Sequence, residues 1–107
     1  MKKIKPIMPS LKEKKRYIAY EVIAEAKPNI QAVEKAITDS MLSFVGELGT
    51  AQAGILFPKQ GIVRVSHLAT EQAKAAIALV KQINGSKVAL RTLGTSGMLN
   101  KAEKYLN

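Results

Sequence analysis

The feature that most constrains this chain is a change of hydrophobic period that occurs twice along it. From Arg16 to Glu25 the side chains alternate, with Ile18, Tyr20, Val22 and Ala24 on one face and Tyr17, Ala19, Glu21, Ile23 and Glu25 on the other. A period of two predicts a strand. From about Ile30 to Glu47 the apolar residues Ile30, Val33, Ile37, Met41, Phe44 and Leu48 recur at three- and four-residue spacing, the stripe of an amphipathic helix. Lys27-Pro28-Asn29 separates the two, with Asn29 placed to cap the helix; Gly46 and Gly49 loosen its end. Thr50 to Phe57 and Gly61 to Ser66 read as two further strands around the turn Pro58-Lys59-Gln60-Gly61. A second helix is expected from Leu68 to Asn84, burying Ala69, Ala73, Ala76, Ile77, Val80 and Ile83 and stopped by Asn84-Gly85. Lys87 to Leu93 reads as a fourth strand, Gly94-Thr95-Ser96-Gly97 as a loop, and Met98 to Leu106 as a short last helix.

The order β-α-β-β-α-β predicts an α+β fold, the ferredoxin-like (RRM-like) βαββαβ sandwich. It has a four-stranded antiparallel sheet with two helices on one face, here with a short C-terminal helix added. The 107 residues suffice for one such core, taken to span 16–107. Residues 1–15 read as a basic N-terminal arm, in which Ser10-Leu11-Lys12-Glu13 fits a capping box and a possible short helix.

Charge placement is the second informative feature. Of a net +9, the stretch from Met1 to Arg16 holds seven basic residues and one acid, and Gly85 to the end holds four and one. The middle balances. Charge loaded at both ends suits a polyanion, because each neutralised phosphate releases counterions. The expectation is that the two ends converge on one patch that grips a structured RNA.

Autonomous catalysis finds little support in the residues. The chain has no cysteine, which removes thiolate metal sites, a thiol nucleophile and disulfides, and fits a cytoplasmic protein. No apolar run approaches the roughly 20 residues of a membrane span. Glu21 and Glu25 share a strand face but stand roughly 13 Å apart at Cα, whereas paired catalytic metals sit about 4 Å apart. Glu34 and Asp39 read as a solvated helix face, and His67, the single histidine, as a surface or capping residue. The third strand carries Arg64 and no aromatic, while Tyr17 and Tyr20 fall on opposite faces of the first, so base stacking over an open RRM-type sheet is poorly provided for. Phosphate and shape recognition suits these residues better. Leu93 to Gly97, with Ser96 and neighbouring Arg91, Lys101 and Lys104, reads either as a phosphate cradle at a helix start or as an ordinary turn capped by Ser96.

Four stretches carry a resemblance to a known family. They are Leu11-Lys12-Glu13-Lys14-Lys15-Arg16-Tyr17-Ile18-Ala19-Tyr20, Gly46-Glu47-Leu48-Gly49-Thr50-Ala51, Gly61-Ile62-Val63-Arg64-Val65, and Ile83-Asn84-Gly85 through Arg91-Thr92-Leu93-Gly94-Thr95-Ser96-Gly97. In that order they resemble the archaeal ribonuclease P protein component 2 family, with departures at Thr95, Met98 and a short middle turn. The resemblance implies binding to the catalytic RNA and pairing with protein component 3. It also implies that the RNA, with Mg2+, removes the 5′ leader from precursor tRNA, so that the chain is a non-catalytic subunit binding no cofactor itself. The residues expected on RNA are Lys12, Lys14, Lys15, Arg16, Arg91, Ser96, Gly97, Lys101 and Lys104. A competing class is a ferredoxin-like ligand-sensing or oligomerising module without RNA, which would leave the end-loaded charge unexplained. A stand-alone nuclease is a third.

Overall fold

The computed structural model describes residues 14–106. Lys12 and the capping turn expected at Ser10 lie outside the described residues, as does the rest of the arm before Lys14. Along the chain come β1 (Lys15–Ile23), α1 (Ile30–Ala53), β2 (Leu56–Lys59), β3 (Ile62–Ser66), a 3-10 turn (His67–Ala69) and α2 (Thr70–Leu79). A small hairpin of β4 (Gln82–Ile83) and β5 (Ser86–Lys87) follows, then β6 (Ala89–Ser96), α3 (Leu99–Glu103) and a closing 3-10 turn (Lys104–Leu106). The main sheet runs β2-β3-β1-β6, antiparallel throughout. This is the α+β, ferredoxin-like order expected from the change of period.

The alternation in β1 decides what each face of the sheet buries. Ile18 and Tyr20, with Val63 and Val65 of β3 and Leu90 of β6, pack on Val33, Ile37 and Met41 of α1 and on Ala73, Ala76 and Ile77 of α2. The alanines let α2 come close, and the Ser40 hydroxyl donates to the Ala76 carbonyl at 2.6 Å, joining the two helices. On the opposite face Ala19, Ile62 and Ala102 are fully buried, with Tyr17, Leu93 and Leu99 around them. The C-terminal segment therefore lies over the outer face of the sheet, with the Tyr105 ring against Gly94 and Leu106 against Gly61. Lys59 and Glu103, 3.2 Å apart, tie it to β2.

Several element boundaries differ from expectation, each for a local reason. Asn29 caps α1 as expected, its Oδ1 accepting from the Ala32 amide at 2.8 Å. The helix breaks at Gly46 (φ 80, ψ 178) and then resumes to Ala53, where Gly54 closes it in the left-handed conformation. Thr50 to Ala53 are thus helical rather than strand. Ala51, Gln52 and Ala53 are good helix formers. Phe44 and Leu48, placed in the core stripe by spacing, are 48% and 72% exposed. At 24 residues α1 outruns the ten of α2, so its far end has little to pack against. Pro58 and Lys59 belong to β2, and the turn contracts to Gln60-Gly61.

The second helix stops at Leu79. Asn84 (φ 53) and Gly85 (φ 83) both take left-handed conformations, and they form the turn of the β4–β5 hairpin rather than a helix terminus. Asn-Gly is the strongest short hairpin signal, because a type I′ turn needs two such residues. Val80 and Ile83 are buried nonetheless. Gly94, Thr95 and Ser96 are not loop but the end of β6, which pairs with β1 as far as Tyr17–Ser96. A register shift between Ala19 and Tyr20 leaves Leu93 as an extra residue, so Leu93 and Gly94 both reach the outer face.

Candidate nucleic-acid interface

One corner of the sheet gathers the first cluster of expected residues. Lys14 precedes β1, and its carbonyl accepts from the His67 amide at 2.9 Å. The His67 Nδ1 is 3.2 Å from the same oxygen, a hydrogen bond in the Nδ1–H tautomer. Spacing marked His67 as a surface or capping residue; its further part, fixing the start of β1 against the end of β3, was not legible. Arg16 turns back, Nη1 donating to the Lys15 carbonyl at 3.1 Å. Ser96 sits opposite Tyr17, and its Oγ accepts from the Met98 amide at 3.1 Å. Gly97 follows so closely that a Cβ there would lie 3.4 Å from Arg16 Nη1. Lys14, Lys15, Arg16, Ser96 and Gly97 thus share one edge.

Arg91 lies elsewhere. Arg91 pairs in register with Glu21, four residues along β1 from the Tyr17–Ser96 pair, which is roughly 13 Å. Its guanidinium forms an ion pair with the Glu21 carboxylate. Lys101 and Lys104 are exposed on the C-terminal segment, and neither has an ion-pair partner among the described residues. The cradle read into Leu93 to Gly97 takes another form. Its residues are strand up to Ser96, and α3 is five residues long with Met98, not Ser96, in the cap position.

Arg64, in sequence only a strand position without an aromatic ring, gains a distinct environment in the fold. In β3, Val63 and Val65 face the helices, so Arg64 stands on the outer face between Leu56 of β2 and Tyr17 of β1. Its Nε is buried and has no hydrogen-bond partner. The alternation Ile62-Arg64-Ser66 against Val63-Val65 was the signal that could have placed it. Among the described residues no group of three His, Asp or Glu side chains could hold a metal ion, and no helix is long and apolar enough to cross a membrane.

Fold and corner together define the class: a small, basic, ferredoxin-like α+β protein with a cationic edge. The sequence profile of the Rpp14/Pop5 family matches residues 16–107, and the chain belongs to that family. It is 41% identical to ribonuclease P protein component 2 of Thermococcus gammatolerans, covering 95% of this chain and 90% of the relative. It is 39% identical to the same component of Thermococcus kodakarensis over the same shares. Against that of Methanosarcina acetivorans it is 34% identical, covering 96% of this chain and 82% of the relative.

Proposed function

We propose that this chain is a protein subunit of ribonuclease P that binds the catalytic RNA and supports removal of the 5′ leader from precursor tRNA. The observation that carries the reading is the cationic edge, where Lys14, Lys15 and Arg16 meet Ser96 and Gly97, in a chain whose relatives bear that component's name over nearly their full length. The edge neutralises phosphates of the folded RNA, with Lys101 and Lys104 adding charge from the neighbouring segment and Lys12 from the arm. Arg91 contributes at a second point, after exchanging its Glu21 partner for a phosphate. Cleavage belongs to the RNA and its magnesium ions; this subunit is non-catalytic. Protein component 3 is its partner, and the particle works in the cytoplasm.

Reconstitution tests this reading. The chain, component 3 and the ribonuclease P RNA are combined with a precursor tRNA, and leader removal is followed against magnesium concentration. A Lys14→Glu/Lys15→Glu/Arg16→Glu variant is expected to need more magnesium than the parent. Parent-like cleavage by that variant at low magnesium removes the role given to the edge; no stimulation by the parent chain removes the subunit reading itself.

A further inference from the structure

We infer that Arg64 and Tyr17 hold one nucleotide of single-stranded RNA on the outer face of the sheet, the guanidinium on a phosphate and the ring on the adjoining base. The inference rests on the RNA-binding reading above and adds to it a stacking site that adjoins the Lys14–Arg16 edge.

The placement comes from register. Leu56, Arg64, Tyr17 and Ser96 form one row across β2, β3, β1 and β6, and directly paired residues on a face stand about 5 Å apart at Cβ. The next row, Lys59, Ile62, Ala19 and Gly94, is the one beneath the C-terminal segment. The Leu56-to-Ser96 row borders that cover, with Tyr17 packed in part against the Ala19–Ile62–Ala102 cluster, and its side chains stay partly accessible: Tyr17, Arg64 and Ser96 are half-buried and Leu56 is 51% exposed. A cation, an aromatic ring and a hydroxyl are therefore neighbours on a partly open face.

What the row lacks is an anion. Arg64 Nε is buried without an acceptor, a state that natural interiors seldom tolerate. Among the described residues, the acids of the outer face are engaged elsewhere, Glu21 by Arg91 and Glu103 by Lys59. Nε itself is enclosed, so a phosphate arriving from solvent accepts from the terminal amino groups of the half-buried guanidinium. Lys15, two residues from Tyr17 and paired in register with Ser66, is the cation beside the row on this face and favours the same charge. An RNA phosphate brings a base with it, and Tyr17 supplies the π-face on which any base stacks. With a single aromatic in the row, the site takes one base, and that base must be unpaired to reach the ring.

The test uses the full chain, a fluorescein-labelled oligouridylate and an RNA duplex of matching charge. Addition of oligouridylate is expected to shift the Arg64 Nε–Hε resonance in a proton–nitrogen correlation spectrum. Arg64→Lys keeps the charge but loses the fork, and should weaken oligouridylate binding about tenfold while leaving the salt slope and the duplex affinity unchanged. Tyr17→Leu should weaken it to a similar degree, and Tyr17→Phe, which keeps the ring, should bind like the parent. Thermal melting of each variant separates a folding defect from a binding one, and the conservative pair Arg64→Lys and Tyr17→Phe keeps the comparison usable if Tyr17→Leu fails to fold. The inference is overturned by an unmoved Nε–Hε signal, by no oligouridylate binding in the parent, or by parent-like binding in Arg64→Lys. If these occur in a chain that still supports leader removal, only the nucleotide site is lost; if leader removal fails as well, the subunit reading goes with it.

Discussion

Tyr20 shows how a single burial sets a pH limit on the fold. Its ring lies in the core between sheet and helices, 4% exposed. Its phenol is pushed up to about 12, chiefly by desolvation and then by the Glu34 charge, with a backbone hydrogen bond from Gly61 pulling the other way. A folded-state value above the ordinary 10.0 means that the contribution is complete below pH 10. It is lost as pH rises through 12, because only the unfolded chain ionises freely in between. Denaturant melts at pH 8 and pH 11 should therefore show the parent losing more stability than Tyr20→Phe, by about 1–2 kcal/mol; an equal loss in both proteins would show that this phenol is not the cause. Gly94 makes a steric case at the same scale. A Cβ there would sit 2.5 Å from the Tyr105 ring, far inside contact distance, on strand backbone that cannot easily retreat. Gly94→Ala is expected to cost about 1–3 kcal/mol of stability in the parent and little in a Tyr105→Ala background. Additive losses in that double-mutant cycle would mean that the ring is not what fills the space above Gly94.

At the scale of elements, the break in α1 is the feature with most to test. Gly46 has φ 80 and ψ 178, a region that only glycine enters without strain. Beyond its chain neighbours and the adjoining helix backbone, no atom lies within 4 Å of a Cβ built there, so backbone conformation sets the cost of a side chain. Gly46→Ala should lower stability by about 1–3 kcal/mol with little change in the far-ultraviolet dichroism. A gain in helix signal and in stability would show that the chain prefers one straight helix at this point. The same element explains why parts of the fold were hard to read. Ile18, Tyr20 and Val22 on one side and Val33, Ile37 and Met41 on the other state their periods plainly, and these are the residues that build the core. Thr50 to Ala53 state none, since β-prone Thr50 precedes three helix formers and only the resumed helix after Gly46 decides between them. Asn84-Gly85 carries two meanings, helix stop and hairpin turn, and the short run from Lys81 to Lys87 could not choose. Gly94-Thr95-Ser96 looked like a loop because its strand character comes from pairing with β1, a partner some 75 residues away in sequence that no local window includes.

For the molecule as a whole, charge placement was legible as composition but not as geometry. The excess at the two ends marks the chain as a partner for a polyanion; it does not show that β1 and β6 are neighbours, which brings Arg16 to Gly97 and carries Arg91 to the far end beside Glu21. That division makes a quantitative expectation about the proposed RNA binding. Each phosphate contact contributes about 0.7–0.9 to the slope of log affinity against log salt. A Lys14→Ala/Lys15→Ala/Arg16→Ala variant should therefore lose up to about 2–3 from that slope, with affinity falling most at low salt. Arg91→Ala should lose less than one contact's worth, because freeing Arg91 for a phosphate strands the Glu21 carboxylate and part of the gain is spent on breaking an existing pair. A filter-binding or anisotropy salt series on parent and variants checks both. Equal slope changes per residue at the two places would show that the Glu21–Arg91 pair exerts no restraint on RNA binding. An unchanged slope in the triple variant would move the RNA surface away from the start of β1.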